Sequence, residues 1–338
     1  MGNEIVNRNA RPTIFGFEFQ EAAGLILMLE NIKNVKEISI EGPHQDIEVL
    51  LSNNKKIYAQ AKATTNPYQK NTLEQFKKGL LTLIENSSLN DFEKLVYVTN
   101  SLFPFGKSEI AKQLFAEREK AIFKYGELEK LGINVDSIIK KISSDTDEHM
   151  RESLEVHFHR FIDANDERTK YELVYKYLQE FLQNINDGKY RTQIFELWTN
   201  QFHRNASQTK TIIKSDFIWK MIVRLSDIRN TEGFKDFFGY DNDEIEEIEE
   251  RFRDEVENLT NGFELSNAIN SLYLIYRENN ASRENREFKF IENNWESLQE
   301  RIITLEDKET QKIICQLVIW EVIKNRSLIK KTKEAAGI

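Results

Sequence analysis

Proline is confined to the first third of this chain. Pro12, Pro43, Pro67 and Pro104 are its four prolines, and none follows between Phe105 and Ile338. A proline inside a helix removes a backbone donor and clashes with the preceding turn. A long proline-free stretch rich in Glu, Lys, Leu, Ile and Phe therefore predicts helix after helix. The boundary falls within 105–145, with Ser143-Ser144-Asp145-Thr146-Asp147 reading as a linker or a helix N-cap. The predicted division is an α/β domain over 1–125 and an all-helical domain over 126–338.

The first part changes hydrophobic period along its length. Phe17 to Ile32 predicts an amphipathic helix, with Phe17, Ala23 and Leu27 on its apolar side. Val35 to Glu41 predicts a strand, with Ile38 and Ile40 on one face and Glu37, Ser39 and Glu41 on the other. Gln45–Leu51 and Lys56–Lys62 predict two more strands, joined through Ser52-Asn53-Asn54-Lys55, where asparagine suits a turn. Thr72 to Glu85 predicts a helix. Glu93 to Thr99 predicts a fourth strand, whose Leu95-Val96-Tyr97-Val98 run suits burial on both faces. The expected order is α-β-β-β-α-β.

Composition narrows the class. Charged residues are 30% and hydrophobic residues 40% of 338, but 22 Phe, 11 Tyr and 4 Trp can fill real cores. No apolar run approaches the roughly 18 residues that would span a bilayer. Met1-Gly2-Asn3-Glu4 lacks the basic-then-apolar start of a signal peptide. The single cysteine, Cys315, excludes an internal disulfide framework and a multi-thiolate zinc site. A soluble, cytoplasmic protein without membrane contact is expected. The net charge of −9 argues against coating nucleic acid through overall charge, though not against meeting DNA at one small site. The acidity is uneven: residues 1–104 carry 11 basic and 12 acidic side chains, and the remainder 36 and 44.

The chemistry sits on the second and third strands. Side chains two apart share a face. Gln60 and Lys62 are thus neighbours on the third strand, about 7 Å apart. Asp46 and Glu48 lie on the face opposite Ile47 and Val49, and the short hairpin brings Asp46 toward the Gln60–Lys62 end. Glu41 closes the polar face of the first strand. An acid, an amide, a lysine and a second acid at one sheet edge suit metal-dependent phosphodiester hydrolysis. Asp46 and Glu41 are hard oxygen ligands of the kind Mg²⁺ takes, Gln60 adds an uncharged amide oxygen, and Mn²⁺ is an alternative ion. Lys62 can steer the attacking water and offset charge on the transition state.

Glu41…Asp46…Gln60-Ala61-Lys62 resembles the PD-(D/E)xK nuclease superfamily in its Q-x-K variant. Gly16-Phe17-Glu18-Phe19-Gln20 opening a helix, and Ala63-Thr64-Thr65 after Lys62, extend the likeness to the CD-NTase-associated double-stranded DNA endonuclease domain of bacterial anti-phage effectors. The resemblance covers about residues 10–104. It implies a restriction-endonuclease-like fold. Asp46, Gln60 and Lys62 would form the core site, and Gln20, or else Glu21 or Glu18, the helix residue that completes it. The proline-free remainder looks more like the nuclease subunit of Lamassu-type defence systems than like a ligand-sensing domain. That likeness implies an SMC-like ATPase and a small accessory subunit as partners, with released subunits forming a homo-oligomer, a dimer or tetramer, that cuts double-stranded DNA. Two other readings stay open: a non-catalytic adaptor that binds DNA ends, and an RNA-cutting enzyme of the same fold.

Other features read more simply. His157 and His159, two apart on an expected helix, would diverge by about 200° and could not share an ion. Cys315 and the four tryptophans read as core or subunit interface. Lys55, Lys56, Lys70, Lys77 and Lys78 read as solvated cations or a DNA-facing edge. The acidic 241–257 helix reads as a solvated face, and the basic run Lys324–Lys333 as a solvated helix end.

Overall fold

The structure of the protein, a computed structural model, describes residues 10–338 except 71, 88–90, 108, 117, 140–147, 165, 187–189, 209, 226–231, 242, 249, 253–262, 280–284 and 306. The polar stretch 143–147 lies outside the described residues. Two compact units divide the chain. The first reaches Lys214; the second runs from Ser215 to Ile338, with Asn184–Asn186 counted to it.

The first unit opens with α1 (Arg11–Glu30), which carries Pro12 in its first turn, where a missing donor costs nothing. Three antiparallel strands follow: β1 (Val35–Ile40), β2 (Ile47–Leu51) and β3 (Lys56–Lys62). Asn54 takes the left-handed conformation (φ 63°) in the β2–β3 turn. Helix α2 (Leu73–Ser87) then crosses over to β4 (Phe92–Thr99), which pairs parallel with β3. The expected α-β-β-β-α-β order is present.

The sheet does not end there. Its seven strands run in the order β5-β6-β4-β3-β2-β1-β7. After α3 (Glu109–Ala116), β5 (Lys120–Lys124) forms the far edge. Short helices α4 (Tyr125–Lys130), α5 (Val135–Ile139) and α6 (Glu148–Ser153) lead to β6 (Leu154–His159), which enters between β5 and β4. Past α7 (Glu167–Lys170), α8 (Glu172–Asn186) and α9 (Arg191–Ala206), β7 (Ile212–Ile213) pairs with β1 at the other edge. The expected boundary at 125/126, and an all-helical 126–338, are therefore corrected. The buried backbone groups on the outer side of β4 need partners, and β6 supplies them. The strand was legible: Leu154-Glu155-Val156-His157-Phe158-His159 alternates with period two.

Two layers cover the sheet. On one face α2 packs Phe76, Leu80 and Leu83 against Tyr58, Leu95 and Tyr97, a core that continues through Leu154, Val156 and Phe158 of β6. On the other lies α1, whose Leu25 to Leu29 are all buried. It is a central helix rather than the expected amphipathic one. At Gly24 an added Cβ would lie 2.5 Å from Ile40 Cδ1 and 3.7 Å from Phe202, so β1 and α9 both press on it. β4 is buried on both faces, as expected, with Leu95, Val96, Tyr97 and Val98 at most 1% exposed.

The second unit is built from helices: α10 (Lys214–Leu225), α11 (Glu232–Phe238), α12 (Phe263–Asn279), α13 (Arg286–Ile302), α14 (Lys308–Lys324) and α15 (Arg326–Ala336). Every side chain from Ile313 to Ile323 of α14 is buried. Cys315 lies there, and burial pushes its thiol up to about 11, so it is an inert core thiol. Trp320 packs against Phe234, Phe237 and Phe238. In the acidic segment Ile245 and Ile248 are buried while Glu244, Glu246 and Glu247 are exposed, a solvated face. The chain is thus mixed α/β followed by a helical region. Among the described residues no helix is long and apolar enough to cross a membrane.

Gly79 of α2 lies directly over β4. A Cβ there would sit 2.6 and 2.9 Å from ring carbons of the buried Tyr97. Gly79→Ala should gain helix propensity yet destabilise the chain by about 1–3 kcal/mol through overpacking. Urea denaturation would measure it, and an unchanged or raised midpoint would contradict this packing.

Candidate functional site

The C-terminal ends of β3, β4 and β6 emerge at one edge of the sheet because the three strands are parallel. Asn100, just after β4, ties these ends together. Its side-chain amide donates to Thr64 O (2.8 Å) and Phe161 O (2.9 Å), and its carbonyl accepts from Thr64 N–H (2.8 Å). β2 runs the other way, so its start lies at the same edge, and that start carries Asp46.

Asp46 precedes β2 in a tight connection from β1. Glu41 takes the left-handed conformation (φ 54°) and donates its N–H to Asp46 O at 2.8 Å. Glu48 holds this connection from within. Its Oε1 accepts from the N–H groups of His44 (2.8 Å) and Gln45 (3.3 Å), and Lys56 Nζ reaches Oε2 at 3.3 Å. Gly42 permits the approach, since a Cβ there would lie 2.7 Å from the Glu48 carboxylate. Glu48, placed by sequence on the same face as Asp46, is a brace for the loop.

The carboxylate of Asp46 closes on β3. Oδ2 accepts from Ala61 N–H at 3.0 Å and from Lys62 Nζ at 2.8 Å. Oδ1 takes no hydrogen bond among the described residues. The pair is partly buried, at 14% side-chain exposure for Asp46 and 33% for Lys62. Gln60 is buried and donates Nε2 to Gln45 Oε1 at 2.7 Å; Gln45 Nε2 in turn reaches Thr82 O on α2 at 3.0 Å. Asp46, Gln60 and Lys62 are therefore brought to one strand end, with Gln45 as an anchor that the sequence did not single out. Tyr97 lies close by on β4: burial raises its phenol above the ordinary range, the Thr99 hydrogen bond opposes this, and the Asp46 carboxylate adds to it. It is a neutral hydroxyl at the floor of the site.

The remaining candidates divide. Glu41 is exposed, and its carboxylate makes no hydrogen bond or ion pair among the described residues. Among those residues no three His, Cys, Asp or Glu side chains gather as a metal-binding group, so Glu41, Asp46 and Glu48 form no acidic cluster. The expected place of Glu41 on the polar face of the first strand is corrected: β1 ends at Ile40, and the left-handed turn at Glu41 ends the strand alternation. On α1, Gln20 Oε1 is buried without a hydrogen-bond partner. Glu18 is occupied by Lys170 Nζ at 2.9 Å. Glu21 is buried, with His203 Nδ1 3.8 Å away, and burial followed by the Glu18 charge pushes its carboxyl up to about 8.

His157 and His159 share one face of β6, not diverging helix positions. Both are buried, and burial lowers both imidazoles from their ordinary value. His157 contacts the Glu155 carboxylate at 2.9 Å, and neither histidine belongs to a three-ligand group. Of the lysines read as a DNA-facing edge, Lys56 pairs with Glu48, Lys70 with Glu109 (3.6 Å) and Lys77 with Glu74 (2.6 Å).

No protein-family profile matches the chain, and no curated protein does. Two solved structures of the Acinetobacter baumannii Cap4 SAVED/CARF-domain containing receptor, one with the cyclic trinucleotide 3'3'3'-cAAA and one with 2'3'3'-cAAA, are similar at 20% identity. Their TM-scores are 0.39 and 0.38, and each similarity covers 64% of this chain and 46% of the receptor chain. The chain thus spans under half the length of the receptor it matches.

Glu48→Ala should cost about 1–3 kcal/mol by stranding the two loop donors, and should speed amide exchange at His44 and Gln45. Amide exchange at those positions unchanged from the parent would show that the brace is elsewhere. A second expectation concerns Glu21. Its folded-state pKa lies above its ordinary value of 4.5, so the protonated form is favoured on folding. That contribution is full below about 4.5 and is lost as pH rises to about 8. Glu21→Gln should match the parent near pH 4 and exceed its stability at pH 8 by roughly 1–3 kcal/mol. Equal denaturation midpoints at both pH values would contradict a buried, uncompensated carboxylate.

Proposed function

We propose that this chain is a metal-dependent endodeoxyribonuclease, the effector of a bacterial anti-phage system. The observation that carries the reading is the convergence of Asp46 and Lys62 on one carboxylate oxygen at the end of β3, with Gln60 on the same strand. A carboxylate beside an ammonium, at the edge where parallel strand ends and loops meet, can hold a phosphodiester and govern its attacking water.

The donor set fits Mg²⁺ in part. Asp46 Oδ1 has free lone pairs, and the Gln60 side chain brings an amide oxygen. With one carboxylate, the remaining oxygens must come from water and the substrate's own phosphate. Asp46 and Gln60 would hold the ion, and Glu41 would not. When bound, the ion supplies Lewis-acid polarisation of a phosphoryl oxygen and lowers the pKa of water. Lys62 exchanges its bond to Asp46 for one to the water or a phosphate oxygen and places positive charge where negative charge develops. Asp46 fixes Lys62 through the shared oxygen, and the Ala61 N–H keeps that oxygen in register. Gln45 orients the Gln60 amide. Each site cuts one strand, so cutting a duplex calls for two copies about a symmetry axis. The sequence likeness to Lamassu-type nuclease subunits names an SMC-like ATPase and a small accessory subunit as the partners to look for.

A second reading has its own observation. The Lys62 ammonium is paired with Asp46, and among the described residues no group of three His, Cys, Asp or Glu side chains accompanies the pair. A chain that binds DNA ends without cutting would look the same.

Purified chain should nick or linearise plasmid DNA with Mg²⁺ or Mn²⁺ and not with EDTA. Lys62→Ala and Asp46→Ala should each lower the rate by roughly 100-fold or more. Glu41→Ala should stay within about threefold of the parent, an expectation that follows from its exposed, unpaired carboxylate. Metal-independent DNA binding with no cleavage in any oligomeric state would establish the adaptor instead.

A further inference from the structure

The connection that leaves β3 carries an exposed aromatic ring at the same sheet edge as the Asp46–Lys62 pair. Tyr68 is 64% exposed, more than any other large hydrophobic side chain among the described residues. It stands six residues after Lys62. That length of chain limits their separation to roughly 20 Å, and the connection is folded rather than extended. β3 and β4 are in register at Lys62 and Thr99, and the two chains stay side by side beyond the strands. Thr64 N–H donates to the Asn100 side chain at 2.8 Å, and Leu102 N–H donates to Pro67 O at 2.9 Å. Tyr68 therefore emerges at the edge where the Asp46 carboxylate and the Lys62 ammonium emerge.

A single exposed tyrosine on a loose surface loop needs no explanation. This one is held. Its N–H donates to Asn66 Oδ1 at 3.0 Å, and Gln69 N–H donates to Asn66 O at 3.0 Å, which closes a turn with Tyr68 at its tip. The buried Thr64 hydroxyl donates to Gln69 Oε1 at 2.9 Å and ties the far side of the turn back to the strand end. Pro67 fixes a backbone torsion just before the ring. Beyond the turn, Lys70 Nζ lies 5.5 Å from the ring centroid of the buried Phe103. The polar groups of the turn are satisfied from within, while its largest side chain is left in water. A ring with two side-chain torsions on a braced backbone loses little entropy when a flat partner lies against it.

We infer that Tyr68 is a stacking platform for an unpaired nucleobase a few nucleotides from the phosphodiester at Asp46 and Lys62. This rests on the nuclease reading for the place of that phosphodiester, and it adds the substrate class: DNA with an unpaired strand, such as a fork or an overhang, ahead of a fully paired duplex. Every base has an aromatic face, so stacking on a ring is tolerant of sequence. Inside a duplex those faces are covered by neighbouring pairs, and exposing one costs unpairing and unstacking, whereas a frayed strand offers it already free. A contact to bases also suits a chain of net charge −9, whose overall field opposes a phosphate backbone.

Fluorescence anisotropy of the full chain with labelled forked and blunt duplexes of one sequence, in EDTA to prevent cutting, tests it. The fork should bind more tightly than the blunt duplex by about fivefold or more. Tyr68→Ala and Tyr68→Leu, at an exposed position and checked for parental melting, should each remove that preference. Tyr68→Phe should keep it, because the ring and not the hydroxyl makes the contact. Equal affinity for fork and blunt duplex, a preference unchanged in Tyr68→Ala, its loss in Tyr68→Phe, or no binding of either DNA would overturn the platform. Plasmid cutting with Mg²⁺ separates this inference from the reading beneath it. A parent that cuts, with Tyr68→Ala binding forks as the parent does, keeps the nuclease and removes the platform. Tyr68-dependent fork binding by a parent that never cuts keeps the platform and removes the nuclease.

Discussion

β4 is hydrogen-bonded on both sides by parallel neighbours, β3 and β6, and much of the first unit follows from that constraint. A parallel pair cannot be joined by a tight turn, so a crossover must carry the chain back across the sheet. Helix α2 is the crossover from β3 to β4. It packs closely because Gly79 leaves room for the Tyr97 ring. Parallel pairing also sends three strand ends to one edge, where their connections must meet. Asn100 satisfies backbone groups of two of those connections, and Asp46 arrives at the same edge because β2 runs antiparallel.

At that edge, structural and chemical roles fall on different residues. Glu48, Gln45 and Gly42 shape the β1–β2 connection and keep their own polar groups engaged inside it. Asp46 and Lys62 remain partly exposed, and half of the Asp46 carboxylate is uncommitted. A charge-assisted hydrogen bond in a partly buried setting contributes roughly 1.5–3 kcal/mol, enough to hold Lys62 in one place and small enough to be exchanged for a substrate contact. The buried histidines of β6 differ. Burial lowers both imidazoles from their ordinary value, and His159 lines a small cavity with Phe19, Ala22, Ala23 and Ile26 of α1, apart from the partly exposed chemistry of the strand ends.

Local signals carried a large part of this account. Period-two alternation placed β1 to β4 within a residue or two, and Asn54 marked the turn between β2 and β3. The approach of Asp46 to Lys62 followed from strand alternation and hairpin length alone. The same alternation in Leu154–His159 was outweighed by the absence of proline from the whole region. Proline excludes helix interior where it occurs, but its absence permits strands as readily as helices. The misplacement of Glu41 has a different origin. A single left-handed residue at a strand end breaks the alternation on which its assignment rested, and a non-glycine residue gives little notice of such a backbone.

The amino-acid sequence by itself determined the strand–helix order up to Thr99, the face on which Asp46, Gln60 and Lys62 lie, and the helical character of the second unit. Hydrophobic period and turn chemistry are local properties, written within a few residues of where they act. Tertiary structure alone decided that β6 and β7 complete the sheet and that Glu48 braces a loop while Glu41 faces solvent. The added strand pairings join residues 40 or more apart in the chain, whereas the Glu48 brace is closed by residues three to eight positions away. Long-range pairing is settled by which buried backbone groups and charges find a counterpart once the chain has packed.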